Sequence, residues 1–191
     1  MVDYETVYLD LKKILSKDRF LHSIGVVERA LEYARVYNVN EEIVMIVAIC
    51  HDIAKELDRS ELDFYLKKYN VVLSDDEVIN SDLLHAKIGS LICKDKYGFS
   101  DDMVNAVRYH TTGRENMSLL EKVIYLADKT EKGRKYCTSY YVDIIKDDID
   151  RGIVELNKWV IKNLVDFNRV ISIDGIKCYN YYCSKVSRYE K

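Results

Sequence analysis

Four histidines are all that this chain of 191 residues contains, and they alternate with aspartate in one order: His22, the pair His51-Asp52, His85, His110 and then Asp128. Imidazole offers a neutral nitrogen ligand, while a carboxylate offers charge-neutralising oxygen and can bridge two ions. Those are the donors that a hydrolytic metal site needs. A lone histidine on a helix is usually a surface or core residue. Here every histidine joins one ordered constellation, H…HD…H…H…D, which points to a metal-dependent phosphohydrolase.

Cations and hydroxyls stand close to these positions. Lys55 follows His51 by four residues and so lies on the same helical face, where it could meet the oxygens of a bound phosphate. Arg19 precedes His22 by three. Thr111, Thr112, Gly113 and Arg114 follow His110 directly. Their hydroxyls and amides could face phosphate, or they could form an ordinary helix C-cap. Lys129 and Arg134 lie near Asp128. Tyr109, Tyr125 and Tyr136 could stack on a base, although core packing is the commoner fate of a tyrosine so placed.

The elements that must position these side chains read as helices throughout. Proline is absent and glycine numbers only 7, so little interrupts helical runs. Leu9, Leu11, Ile14 and Leu15 mark a first amphipathic helix, and Asp18 to Tyr37 a second that carries His22. Glu41 to Leu57 is apolar almost all round, as in a central helix, with His51-Asp52 near its end. Ser60 would cap a short helix through Tyr69. Ser74 with Glu77, and Ser118 with Glu121, have capping-box spacing. His85 sits early in a helix that Gly98 ends, His110 late in one opened by Ser100, and Asp128 late in LLEKVIYLADK. Ser139 to Val165 reads as one long helix, and the tail after Asp174 as another, with Lys185 and Arg188 keeping it solvated. No stretch alternates with period two. The expectation is a single all-α domain over residues 1–191, with C-terminal helices over 139–188.

Composition narrows the class. Hydrophobic residues at 48% and charged residues at 32% suit a globular domain. A formal charge of −3 argues against nucleic acid or an anionic membrane as the main partner. Five cysteines (Cys50, Cys93, Cys137, Cys178, Cys183) form no C-x-x-C, so neither a disulfide framework nor a zinc-thiolate site is expected. The N-terminal residues lack a basic-then-apolar leader, and no apolar run is long enough to span a membrane. The chain reads as cytoplasmic. No Walker-type glycine loop, Ser-His-Asp order or nucleophilic-cysteine context appears.

The ordered set His22, His51-Asp52 and Asp128 resembles the HD-domain metal-dependent phosphohydrolase superfamily. His85 and His110 fill the places that mark its two-metal subset. The blocks RFLHSIGV, AICHDIAKEL, LLHAKIGS, RYHTTGR and IYLADKTEKGR look like the bacterial YqeK-type family of symmetrical diadenosine tetraphosphate hydrolases, over Arg19 to about Arg134. One departure is Lys132, where that family usually has proline.

The resemblance implies an HD-domain helical bundle in which His22, His51, Asp52 and Asp128 hold one divalent ion, and Asp52, His85 and His110 a second. Iron is the first expectation by family likeness, with manganese, cobalt or zinc as alternatives. The ions would lie ~3.5–4 Å apart with an activated water between them. That water would cleave diadenosine tetraphosphate to two ADP, with Asp52 and Lys55 in catalysis and Arg19, Lys55, Thr111, Thr112, Gly113, Arg114 and Arg134 on the substrate. Two other readings stay open: an HD phosphohydrolase for a nucleoside monophosphate, deoxynucleoside triphosphate or guanosine alarmone, and a metal-bound nucleotide sensor without turnover. The expected partners are a small nucleotide and its product. A homodimer is left open.

Overall fold

Eleven α-helices and no strand make up the described residues (2–134, 136 and 139–186) of the computed structural model. Most helices begin on a side chain that satisfies a free backbone N–H. Asp3 caps α1 (Tyr4–Ile14) and Ser16 caps α2 (Lys17–Tyr37), which ends on Asn38 in the left-handed region at φ 53°. Asn40 caps α3 (Glu41–Cys50). Next come α4 (Arg59–Lys68), α5 (Asp75–Ile79), a 3-10 turn over Ser81–Leu83, and α6 (Leu84–Tyr97), which Gly98 closes at φ 66°. The chain continues through α7 (Asp101–Arg108), α8 (Leu119–Thr130), α9 (Ser139–Asp147), α10 (Ile149–Asp166) and α11 (Ile173–Val186).

The core is built around α3, whose Val44, Ile46, Val47, Ala48, Ile49 and Cys50 have no solvent exposure. Helices α2 and α8 pack on it and on each other, α1 and α7 also lie against it, and α6 packs on α7. Helices α9, α10 and α11 form a C-terminal group that meets the rest mainly through α8. Among the described residues no helix is long and apolar enough to cross a membrane.

Three helical boundaries differ from those that the sequence predicts, and His110, expected late in α7, lies just past that helix's end at Arg108. The central helix stops at Cys50 rather than Leu57, and residues 51–56 form successive turns, with Ile53 N–H on Cys50 O and Lys55 N–H on Asp52 O, both at 2.9 Å. The cause is local. The His51 ring takes the carbonyl of Ala48 at 2.7 Å, the acceptor that the amide of Asp52 would need to extend the helix. The short helix α4 starts at Asp58, not Ser60; Asp58 and Glu61 form a reciprocal capping box, and Ser60 donates to Asp58. The long C-terminal helix is two. Asp148 adopts extended backbone (φ −146°, ψ 111°) and its carboxylate accepts from the amides of Asp150 and Arg151, so it caps a new helix mid-run. The capping boxes at Ser74 and Ser118 are present. Cys137 and Arg188 lie outside the described residues, and α11 runs to Val186 among them.

Candidate metal centre

Six predicted ligands come from five places in the fold and meet at one point. His22 projects from the second turn of α2, His51 and Asp52 from the turns after α3, His85 from the start of α6, His110 from just past α7, and Asp128 from the last turn of α8. Several ties hold those elements in register. Glu56 binds the Ser16 backbone N–H at 2.7 Å and its hydroxyl at 2.5 Å, joining the His51-Asp52 turns to the cap of α2. Arg29 donates through Nε to Thr130 O at 2.9 Å, and Tyr33 meets the Thr130 hydroxyl at 2.7 Å, fastening α2 to the end of α8.

All four imidazoles are oriented alike. Nδ1 of His51, His85 and His110 each faces the carbonyl three residues earlier (Ala48, Asp82 and Val107). Nδ1 of His22 faces Glu131 Oε1 at 3.3 Å. A proton on each Nδ1 leaves the Nε2 lone pair as the free donor, and the four Nε2 atoms converge: His22 on His51 at 3.3 Å, His85 on His110 at 3.2 Å. Backbone and carboxylate partners behind ligating rings fix tautomer and direction in this way in metal sites generally.

Asp52 divides its two oxygens between the pairs. Oδ1 lies 3.2 Å from His85 Nε2 and 3.5 Å from His110 Nε2. Oδ2 lies 3.4 Å from His51 Nε2 and 3.8 Å from His22 Nε2. The result is two donor triads, His22-His51-Asp52 and Asp52-His85-His110, that share one carboxylate. Asp128 joins the first, its Oδ1 at 3.2 Å from His22 and 3.8 Å from His51. The nitrogen and carboxylate donor set, the shared oxygens and the pinned rings fit a pair of divalent cations.

Electrostatics agree with that fit. Burial works against the charge on Asp52, yet the imidazoles of His51, His110 and His85 around it hold its carboxyl well below the usual range. Asp128 is likewise kept ionised against burial by His22, Arg134 and Lys129. Burial pushes His110 down to about 4, so that ring is neutral near pH 7, as a ligand must be.

The predicted substrate contacts separate into two sides. Arg19 and Arg134 stand on the His22 side: Arg19 Nη1 is 2.7 Å from Asp52 Oδ2, and Arg134 binds both the carboxylate and the carbonyl of Asp128. They line an open groove of about 1160 Å³. Lys55 and Thr111 stand on the other side. Lys55 Nζ is 3.3 Å from His85 Nδ1, and the Thr111 hydroxyl lies 3.2–3.3 Å from the Nε2 atoms of His110 and His85. Because residues 51–56 are turns, Lys55 reaches this place without sharing a helical face with His51.

Four of the residues singled out near the motifs make further contacts. Arg114 forks onto Glu121 at 2.7 and 2.8 Å and is not brought to the centre. Gly113, at φ 68°, serves packing, since a β-carbon there would lie 2.6 Å from Cys178 Sγ. Thr112 donates to Gly113 O. Lys129 is buried, donating to His110 O at 2.8 Å above the Tyr125 ring. Of the tyrosines, Tyr125 is core, Tyr109 lies between Arg108 and Arg114, and Tyr136 stacks on Trp159 at the edge of the His22 groove. The sequence reading missed Glu131, buried behind His22. Its only signal was a place three residues after Asp128 in a charged loop.

The HD domain family model matches residues 19–133. A protein of Halalkalibacterium halodurans named symmetrical bis(5'-nucleosyl)-tetraphosphatase is 34% identical over 89% of this chain and 91% of its own. A Bacillus subtilis protein of the same name is 32% identical over 91% and 94%. A crystal structure from Clostridium acetobutylicum, described as a predicted HD superfamily hydrolase involved in NAD metabolism, is 32% identical and superposes with a TM-score of 0.91 over 97% of this chain and 99% of that one. With the motif residues gathered at one centre and likeness running nearly end to end, the chain belongs to the HD domain family, alongside proteins named as symmetrical tetraphosphatases.

Proposed function

We propose that this protein hydrolyses diadenosine tetraphosphate symmetrically, to two molecules of ADP, at a centre of two divalent ions held by His22, His51, Asp52 and Asp128 on one side and Asp52, His85 and His110 on the other. The observation that carries the metal centre is the division of the Asp52 oxygens between two histidine pairs. The substrate rests on the likeness to the named tetraphosphatases. When bound, the ions supply Lewis acidity to the phosphoryl oxygens and lower the pKa of the attacking water. Iron is the first choice among metals that suit nitrogen and carboxylate donors.

The chain's own residues do the rest. Water adds to an inner phosphorus, the oxygen bridge to the third phosphate breaks, and the departing ADP keeps the bonding electrons while the water's proton leaves. Lys55 beside His85, Arg19 beside Asp52 and Arg134 beside Asp128 place cations on both flanks of the centre, where they neutralise the polyphosphate and the leaving charge. The Thr111 hydroxyl, set against two Nε2 atoms, is placed to orient a phosphate oxygen.

Anaerobic incubation of iron- or manganese-loaded protein with diadenosine tetraphosphate, with products separated by chromatography, is the test. ADP as sole product is expected. AMP with ATP would overturn the symmetrical outcome, and no turnover by the loaded protein would overturn the substrate. Asp52→Ala should abolish turnover, with a loss on the order of 10³ or more. Failure of Asp52→Ala to slow the reaction would remove the shared carboxylate from the chemistry.

A further inference from the structure

Beside the Lys55 flank of the centre lies a second cavity, of about 230 Å³, that the HD-domain motif does not account for. Its floor and far wall come from α10 and the turn into α11, beyond the residues that the family model matches. Two properties separate it from the wider groove at His22. The wide groove is open and carries Asp18, Glu28, Glu56 and Glu131 against Arg19, Lys132 and Arg134. The smaller cavity has two cations, Lys55 and Arg169, and one carboxylate, Asp82. Its inner wall is aliphatic, with Ile161 and Leu164, and polar groups line it: the buried carboxamide of Asn157, whose Nδ2 lies 3.6 Å from Cys178 Sγ, the Ser172 hydroxyl, which is paired with Asp76, and Asn80, Thr111 and Thr112.

An aliphatic slot of this size with amides and hydroxyls along its lining suits a planar heteroaromatic base. The walls hold its faces, and the polar groups read its edge. Lys55, Thr111 and Thr112 line the same cavity, so a base seated there has its phosphates directed at Asp52, His85 and His110. The backbone of the wall is fixed: Asn168 takes the left-handed region at φ 52°, Arg169 N–H binds Leu164 O at 2.8 Å, and Ile173 N–H binds Asp76.

We infer that this cavity is the seat for one nucleoside of the substrate, with the Asn157 carboxamide at the base edge and Ile161 and Leu164 at its faces. The C-terminal helices are thereby a specificity element, and the open groove at His22 is left for the other half of the molecule. The inference rests on the nucleotide reading above, so its test includes one readout independent of turnover. The holoprotein would be photolabelled with 8-azido-ADP and the labelled peptide identified. In parallel, kinetics on diadenosine tetraphosphate would be measured for Ile161→Trp, which fills the slot, and Ile161→Ala, which loosens it with little risk to folding.

Label within residues 157–172 is expected, with KM raised at least about tenfold by Ile161→Trp and about threefold by Ile161→Ala while kcat holds, since base binding away from the reacting bond is uniform binding. Label confined to residues 131–136, or no label, overturns the assignment. So does an unchanged KM in both variants when the wild type turns over. If the wild type does not cleave diadenosine tetraphosphate and yet labels within 157–172, the substrate reading fails while the nucleoside seat stands.

Discussion

Glu131 shows how a single side chain outside the ligand set can govern the centre. One oxygen faces His22 Nδ1 and the other accepts the Gly133 amide, so the carboxylate is held between the ring and its own loop. Gly25, on the same helix as His22, leaves room for it: a β-carbon there would stand 2.8 Å from Oε2. Gly25→Ala should push the carboxylate off the ring at small cost in stability, because the far end of a side chain can yield. Glu131→Gln keeps the volume and loses the charge. Both substitutions are expected to weaken metal binding on the His22 side by about 10–100-fold, with secondary structure unchanged. Competition against a chelating dye checks this, and an affinity equal to wild type in both variants would assign Glu131 a loop-stabilising role only. The residue scale is also where the sequence was most legible. All six residues gathered at the candidate centre announced themselves by type and order, because a metal centre leaves little choice of donor. Glu131 did not, since a glutamate in KTEKGR looks like any solvated charge until the loop folds back under the ring.

Among the elements, helix α5 depends on a buried charge. Glu77 is 4% exposed, closes the capping box on Ser74, and pairs with Lys87 at 2.6 Å and Arg108 at 2.7 Å. Burial raises its carboxyl, but Lys87, the Ser74 amide and Arg108 prevail and hold it below the ordinary value. A carboxyl depressed in the folded state binds its proton more readily when unfolded. Its stabilisation is thus fully present above the ordinary carboxylate pKa and is lost as pH falls through the folded value. Glu77→Gln should cost on the order of 3 kcal/mol at pH 7, where two cations lose their partner. The gap to wild type should narrow as pH falls below about 4. Thermal melts of both proteins from pH 7 to pH 3 check it, and a gap independent of pH would mean that packing rather than charge is involved.

The joint between α9 and α10 makes a second case. A β-carbon at Gly152 would lie 3.0 Å from the Ile145 α-carbon and closer still to its side chain. Gly152→Ala should therefore destabilise by about 1–3 kcal/mol despite better helix propensity. A melting temperature at or above wild type would show that the two helices can part freely. Most elements could be read from periodicity and caps. The three misplaced boundaries share one cause: a side chain, His51, Asp58 or Asp148, intercepts backbone groups within a run that hydrophobic patterning alone would continue.

Taken whole, the molecule divides its labour. The α2, α3 and α8 core, with α6 and the turns around it, brings together the residues of the candidate centre, while α9, α10 and α11 extend past the motif region that the family model matches. That second part was legible as helix and illegible as function, because an aliphatic wall with one asparagine has no motif. The residues of the candidate centre, in contrast, are drawn from α2, α6 and α8 and from turns that have no long ladder of their own. An ion bound there is a clasp across the fold as well as a reagent. Removing it with a chelator should leave the helical content near its original level but open the turns at 51–58 and 109–117, where the ring-to-carbonyl bonds would lose the force that keeps each imidazole in place. Limited proteolysis would then cut the stripped protein at those two stretches and spare the loaded one, making resistance to protease a direct gauge of metal occupancy.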